Sequence, residues 1–275
     1  MRPIRLPPAS AAPLLALALA ACGGGELDLT DDERPAEAIF AEAEERLADG
    51  DAAAAAALYD DVERLYPYSR LARDAVLRSA EAYYRAGEFE EARLAAERFL
   101  TFYPADPAAA EAQYIIALSH YVQIVDTGRD QGETREALAA LRETVNRYPD
   151  AEVARDAALK LDLTLDHLAG KEMEVGRWYL KRDHYVAAIN RFRRVVEEFQ
   201  TTSHTAEALY RLVEANLALG LEGEARRAAA VLGHNFPGSD YYQRAYALVG
   251  GEDPSSGGGG GLGRIYRQVI KGEWL

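Results

Sequence analysis

Residue types that commonly carry out chemistry are sparse in this sequence, and their spacing suits neither catalysis nor metal binding. The five histidines are His120, His167, His184, His204 and His234. None lies at HExxH spacing or close enough to another to predict a metal site. Gly170-Lys171 is followed by Glu172, whereas a phosphate-binding loop requires Ser or Thr after its lysine. We therefore predict no catalytic residue and no metal ligand.

The single cysteine, Cys22, stands where a covalent modification would be expected. It follows Leu19-Ala20-Ala21, after a positive start at Arg2 and Arg5 and an apolar core at residues 11–21. That core has the length of a secretory signal, whereas a transmembrane helix needs ~20 apolar residues. The motif resembles the bacterial lipobox, whose cysteine becomes the first mature residue and carries a diacylglycerol and an N-acyl chain. This lipid is the only attached group that we predict, and no other cofactor.

The lipobox divides the N-terminal part into a signal peptide at residues 1–21 and a lipidated tether at residues 22–34. Several acyl chains anchor a protein stably where a single chain would be marginal. Gly23 follows the cysteine, where an aspartate would resemble the inner-membrane retention signal of enteric bacteria. We therefore expect the periplasmic face of the outer membrane. The alternative is an ordinary signal peptide whose cleavage site happens to contain a cysteine.

Composition limits the class of the mature protein. The 275 residues carry a formal net charge of -14, and 49% of them are hydrophobic. A chain this apolar can form a core, so intrinsic disorder is excluded. A net-acidic chain is also a poor binder of phosphate backbones, so we predict no nucleic acid partner.

Five segments share one internal frame, which predicts the scaffold. Each ends at an aromatic residue that is followed by proline in four cases, at positions 67, 104, 149 and 237, and by Gln200 in the fifth. Seventeen residues earlier stand Gly50, Gly87, Gly132, Asp183 and Gly220. Five residues after each of these stand Ala55, Ala92, Ala137, Ala188 and Ala225. Such self-similarity is the signature of a repeat architecture.

The frame has the physical features of an αα-hairpin repeat. Glycine or aspartate allows a tight turn between two helices, alanine lets the helices approach closely, and proline ends the second helix. The pattern resembles the tetratricopeptide repeat, with insertions at residues 123–131 and 163–182. We predict an all-α superhelical solenoid of five αα-hairpin repeats at residues 35–249. A Gly-rich linker at residues 250–263 and a tail at residues 264–275, amphipathic or disordered, follow.

A lipobox followed by five long-spaced repeats resembles the BamD family of outer-membrane lipoproteins, in its alphaproteobacterial form. The resemblance is carried by the runs at residues 125–132, 168–177, 179–182, 200–204 and 232–239. It implies a non-enzymatic scaffold that binds the periplasmic (POTRA) domains of the barrel-forming subunit BamA and other Bam lipoproteins. It also implies binding of unfolded outer-membrane β-barrel proteins through their C-terminal β-signal.

A second interpretation stays open. A tetratricopeptide-repeat lipoprotein could instead coordinate proteins of the cell envelope, of peptidoglycan synthesis or of cell division. Such proteins usually carry a coiled-coil segment before the repeats, whereas only residues 26–34 separate the glycines after Cys22 from the first repeat. Co-purification with BamA, or with peptidoglycan synthases, distinguishes the two.

The sequence predicts two sets of binding residues, one from the repeat frame and one from the segment at residues 170–185. The first helix of each repeat should line a groove with an apolar and aromatic set, which is Phe40, Leu77, Tyr84, Tyr114 and Tyr121. Such a groove suits a β-signal, which alternates apolar and aromatic residues; alternatively, the tyrosines pack between repeats. The second set is a basic patch for an acidic partner, formed by Lys171, Arg177, Lys181 and Arg182. Its alternative is a solvated helix face with pairs such as Glu174 with Arg177.

Overall fold

The computed structural model describes residues 34–250, which form eleven α-helices and no strand. The helices are α1 (Ala36–Ala48), α2 (Ala52–Leu65), α3 (Arg70–Ala86), α4 (Phe89–Phe102), α5 (Ala109–Tyr121), α6 (Gly132–Arg147), α7 (Ala154–Leu180), α8 (Tyr185–Glu198), α9 (Thr205–Ala218), α10 (Glu222–Asn235) and α11 (Asp240–Val249). The predicted signal peptide, nearly all of the tether and of the Gly-rich linker, and the tail lie outside the described residues. Within residues 34–250, no helix combines the length and the apolar character needed to cross a membrane.

The helices pair as the repeat frame predicts. Each helix packs against the next along the chain, and the first helices of the early repeats, α1, α3, α5 and α7, also contact one another in sequence. The five hairpins are therefore α1–α2, α3–α4, α5–α6, α7–α8 and α9–α10. The all-α tetratricopeptide-repeat fold is confirmed. Helix α11, which the frame did not include, packs on α9 and α10 and covers the last hairpin.

The small residues of the frame do what their chemistry suggests. Gly50, Gly87 and Gly220 have φ values of +86°, +81° and +73°, and Asp183 has φ +59°, so each makes the left-handed turn between two helices. All five frame alanines are completely buried. Large side chains pack beside them, among them Tyr59, Leu141 and Phe192, which are at most 1% exposed. Burying such a side chain fully stabilises the fold by ~1.5–3 kcal/mol.

The repeat frame predicts that Gly132 makes the turn between the two helices of the third repeat, and this prediction is wrong. Gly132 begins helix α6 and does not adopt a positive φ. The turn between α5 and α6 is replaced by residues 122–131, which form a ten-residue loop. The insertion that the spacing predicts in this repeat therefore lies in the turn itself, and it removes the need for a left-handed glycine there.

The second helix of every repeat ends in the same way. The closing residues Tyr66, Tyr103, Tyr148, Phe199 and Phe236 have φ between −128° and −135° and ψ between 40° and 55°. Each donates its backbone N–H to the carbonyl four residues earlier. Phe199 adopts this geometry although glutamine follows it, so proline is not required to end these helices.

Helix α7 contains the second insertion, which lengthens it to 27 residues. Its first half contacts α5 and α6, and its second half packs against α8 and α9. Leu168, Ala169 and Met173 join Phe192 and Val195 in one buried cluster. Helix α7 therefore belongs to both halves of the repeat array.

Candidate peptide groove and docking surfaces

The first helices of repeats two and three bring four of the five predicted groove residues together. Leu77 and Tyr84 on α3, and Tyr114 and Tyr121 on α5, all pack in one apolar cluster. Each pair is seven residues apart, which is two helical turns and therefore one helix face. We call these four residues the aromatic surface. Phe40 lies apart from it, edge-to-face with Tyr59 at a ring distance of 5.1 Å.

The five predicted groove residues also differ in how much of each side chain is exposed. Tyr114 is only 7% exposed, so its ring packs inside the core and the packing alternative holds for this residue. Phe40, Leu77, Tyr84 and Tyr121 are half-buried. Their remaining exposed surface is available to a bound peptide, whereas Tyr114 is held in the core.

A lysine that the sequence analysis missed connects the aromatic surface to α7. The Nζ atom of Lys160 lies 2.7 Å from the Asp156 carboxylate and 5.8 Å and 6.0 Å from the ring centres of Tyr121 and Tyr114. The Tyr114 hydroxyl donates to the same carboxylate. These distances fit cation–π attraction. The four-residue spacing of Asp156 and Lys160 was the signal that could have found this pair.

The hydrogen bonds of Asp156 change the pKa of Asp156 and of Tyr114. The Lys160 ammonium, followed by the Tyr114 hydroxyl, lowers the pKa of Asp156 below its usual value. Burial, followed by the hydrogen bond to Asp156, raises the pKa of Tyr114 well above its usual range. Tyr114 therefore stays protonated and Asp156 ionised at neutral pH, which fixes the direction of the hydrogen bond.

Carboxylates lie on the same helices as the aromatic surface. Arg78 on α3 pairs with Glu81 at 2.8 Å. Burial, and then a hydrogen bond with Glu81, raises the pKa of Glu111 on α5. The charge of Glu81 thus acts on groups of both α3 and α5, beside the Arg78 guanidinium.

The four predicted docking residues do not form one surface. Arg177 donates to Glu207 of α9 at 3.0 Å, so its partner is in the next repeat and not Glu174 of its own helix. Lys181 and Arg182 lie at the turn between α7 and α8. Lys171 faces α6 and lines a cavity.

That cavity lies between α6, α7 and α8 and has a volume of about 390 Å³. We call it the basic cavity, because Arg135, Arg142 and Lys171 line it and make no ion pair within residues 34–250. Its apolar lining is Leu138, Leu165, Leu168 and Phe199. The sequence analysis missed Arg135 and Arg142, although their seven-residue spacing puts them on one face of α6.

A buried carboxylate stands at the edge of the basic cavity. Glu172 is 8% exposed and accepts from Arg191 at 3.1 Å and from Arg194 at 2.9 Å. Glu198 also lines the cavity and pairs with Arg194. Both carboxylates of the lining are therefore paired with arginines of α8, and neither pairs with Arg135, Arg142 or Lys171.

Three of the segments that carry the family resemblance, at residues 125–132, 168–177 and 200–204, contact one another. A side chain added at Gly170 would lie 3.2 Å from Nε2 of His204 and 3.9 Å from Cγ2 of Thr127. Asp166 accepts from the backbone N–H of Ser203 at 3.0 Å and from its hydroxyl at 2.7 Å. The loop before α6, the middle of α7 and the segment before α9 are thus in contact.

Comparison with known proteins places the chain in a family. A model of the YfiO family, described as outer membrane lipoprotein, matches residues 32–245. The outer membrane protein assembly factor BamD of Caulobacter vibrioides is 48% identical over 241 residues, which are 87% of this chain and 79% of that protein. The chain belongs to the BamD family. BamD proteins of Rickettsia prowazekii (42% identity, covering 67% of this chain and 73% of the relative) and Neisseria meningitidis serogroup A (34%, 84% and 92%) are also similar.

Solved tetratricopeptide-repeat structures resemble the chain more distantly than its BamD relatives do. The P58(IPK) TPR domain is 14% identical, with a TM-score of 0.40, over 87% of this chain and 67% of that one. A thermophilic TPR protein of Thermus thermophilus is 17% identical, with a TM-score of 0.33, over 78% and 99%. The fold assignment therefore rests on the helix pairing described above.

Proposed function

We propose that the protein is a non-enzymatic scaffold of the β-barrel assembly machine, which helps to fold β-barrel proteins and insert them into the outer membrane. Its membership of the BamD family supports this function, since the relatives are named outer membrane protein assembly factors. That name also supports association with the outer membrane. We further propose anchoring at its periplasmic face through lipid on Cys22.

The observation that carries substrate binding is the half-buried aromatic surface. A β-signal in extended conformation presents apolar and aromatic side chains on alternate positions. Leu77, Tyr84 and Tyr121 offer rings and an aliphatic side chain that are already held by the core, so binding costs little side-chain entropy. Lys160, beside the rings, adds a cation to this otherwise apolar surface.

The basic cavity supports docking of the BamA POTRA domains. Arg135, Arg142 and Lys171 surround an apolar floor and make no ion pair within residues 34–250, since the lining carboxylates Glu172 and Glu198 pair with arginines of α8. An acidic segment with one apolar side chain would fill the floor and pair with the rim, which is how small interface anchors usually bind. This assignment moves the docking site from the original patch of four to a cavity that shares only Lys171 with it.

One experiment tests both sites, because each variant is the control for the other. The first variant is Tyr84→Ala with Tyr121→Ala, and the second is Arg135→Glu with Lys171→Glu. We expect the first to lower photo-crosslinking of a β-signal peptide and to retain BamA on co-purification from bacterial envelopes. We expect the second to lose BamA and to retain peptide crosslinking. Circular dichroism of each purified variant checks that helicity is unchanged.

The outcomes distinguish an error in either binding site from an error in the proposed function. Unchanged peptide crosslinking in the tyrosine variant would remove the groove assignment, and retention of BamA in the charge-reversed variant would remove the cavity assignment. If wild-type protein instead co-purifies mainly with peptidoglycan synthases or cell-division proteins, the role in cell-envelope organisation replaces the proposed one.

A further inference from the structure

The turn between α7 and α8 combines exposed apolar surface with cations. Trp178 is 48% exposed and Val186 is 62% exposed, and between them Lys181 and Arg182 are both exposed. We call these four residues the tip. We propose that the tip is a membrane contact that binds the surface of anionic phospholipids, in addition to the lipid anchor on Cys22 that belongs to the proposed function.

The two cations of the tip are available to a ligand. Neither Lys181 nor Arg182 makes an ion pair within residues 34–250. The guanidinium carbon of Arg182 lies 4.0 Å from the centre of the Trp178 ring, and its Nη1 donates to the Trp178 carbonyl at 3.4 Å. Stacking on the indole thus holds the guanidinium group beside an apolar ring while both stay in contact with solvent.

Nearby charges do not neutralise these cations. Arg177, one turn earlier, is already paired with Glu207. Asp183 is the turn residue, and its carboxylate accepts from the Tyr185 hydroxyl at 2.6 Å. The tip therefore has two unpaired cations against one carboxylate, in a chain whose net charge is -14.

The corresponding turn of repeat five shows that exposed apolar residues alone do not make such a site. Leu219 and Leu221 are 40% and 47% exposed there. The residues that follow are Glu222 and Glu224, which pair with arginines of the same helix. An anionic surface would be repelled by these glutamates, and the arginines beside them are already paired, so the turn of repeat five lacks the unpaired cations of the tip.

The chemistry of the tip fits a lipid surface better than a protein partner. Tryptophan favours the interface between headgroups and acyl chains, and lysine and arginine reach the phosphate groups from the same depth. A protein anchor usually fills a cavity, as the basic cavity allows, whereas the tip is an exposed turn. Together with the proposed lipid anchor on Cys22, a second contact in repeat four would fix the orientation of the repeats on the membrane.

Tryptophan fluorescence tests this contact directly. The chain has two tryptophans, so Trp274→Phe leaves Trp178 as the only indole. The full-length protein would be purified from outer membranes and reconstituted into vesicles that contain brominated phospholipids. We expect Trp178 emission to be quenched, and shifted to shorter wavelength, in vesicles containing phosphatidylglycerol and much less in pure phosphatidylcholine.

A charge-reversed pair and a matched control identify the cause. Lys181→Glu with Arg182→Glu should lower the quenched fraction by about half, because each cation near an anionic surface adds to its binding. Arg85→Glu with Arg155→Glu makes the same change in charge at exposed sites elsewhere and should leave quenching unchanged.

Two outcomes would overturn the proposal. In the first, the quenching of Trp178 depends neither on the lipid charge nor on the two tip substitutions. In the second, Trp178 changes its emission only when BamA is added, which would assign the tip to a protein surface. Vesicle flotation reports the Cys22 anchor separately, so its failure is distinguishable from failure of the tip.

Discussion

The third and fourth repeats are both longer than their neighbours, yet they accommodate their extra residues in different ways. The third repeat places them in a loop at residues 122–131, and the fourth adds them to helix α7. The loop sequence contains Gly128, Asp126 and Asp130, which favour turns, whereas residues 163–182 consist mostly of helix formers. Repeat spacing therefore indicates where an insertion lies, and local composition decides whether it forms loop or helix.

The two insertions are also stabilised by different interactions. The loop is closed by Gln131, which is 3% exposed and donates to the carbonyl groups of Asp126 and Arg129, both at 3.1 Å. The extension of α7 is held by apolar packing, in which Gly176 lies against the ring of Phe192, and by ion pairs of Glu172 and Arg177 with arginine and glutamate side chains of α8 and α9. The hydrogen bonds of Gln131 are thus local to the loop, whereas the extension is held by contacts with other helices.

The largest effect is expected where Gly176 of α7 packs against Phe192 of α8. A Cβ atom at Gly176 would lie 2.5 Å from a ring atom of the fully buried Phe192. Gly176→Ala should therefore lower the free energy of unfolding by about 2–3 kcal/mol, although alanine favours helix. Urea denaturation measures this change.

Gly223→Ala is the matched control, since its added methyl group meets only an arginine side-chain atom at 4.0 Å. This substitution should raise the free energy of unfolding by ~0.5–1 kcal/mol. Equal effects of the two substitutions would mean that α7 is not tightly packed at Gly176.

A smaller effect is expected when the loop loses its closing residue. Gln131→Ala leaves two loop carbonyls and the Thr134 hydroxyl without their partner, so the free energy of unfolding should fall by about 1–2 kcal/mol. Hydrogen exchange should accelerate in residues 122–131 and stay slow in α7. Gln200→Ala, which removes one exposed hydrogen bond of 3.4 Å, should change little. Faster exchange throughout α7 would contradict the idea that the two insertions are stabilised independently.

The smallest effect is a pH dependence confined to the loop. The N–H group of Gly128, followed by the Thr127 hydroxyl, lowers the pKa of Asp126. Ionised Asp126 therefore stabilises the folded loop above the ordinary aspartate pKa of ~3.9, and this contribution is lost as the pH falls through the lower pKa of the folded state. The protection factors of amides in residues 122–131, which are exchange rates referred to the intrinsic rate at each pH, should fall over that range, and Asp126→Asn should remove the change. An equal fall in α7 would show that the loop does not respond alone.

Much of the fold could be predicted because the repeat frame depends on local chemistry. The left-handed turns at Gly50, Gly87, Asp183 and Gly220, and the buried alanines five residues later, follow from the sequence directly. Gly132 could not be placed correctly, because the frame counts residues and does not distinguish a turn from a loop.

The candidate sites were less predictable because they depend on how helices stack. Helical spacing placed Tyr84 and Tyr121 on one surface, but the burial of Tyr114 depends on α7, forty residues further along the chain. The partner of Arg177 belongs to the next repeat. The basic cavity combines Arg135 with Lys171 from another helix, and no spacing within either helix indicates that they meet.

The identical ends of the second helices have an evolutionary consequence. Because each hairpin returns the chain with the same backbone geometry, whether or not proline follows, the next hairpin can start in the same direction. Insertions within a repeat then leave its downstream neighbours undisturbed. Members of the family could accordingly gain or lose segments in single repeats, as the third and fourth repeats have done here, and acquire new surfaces without redesign of the remaining array.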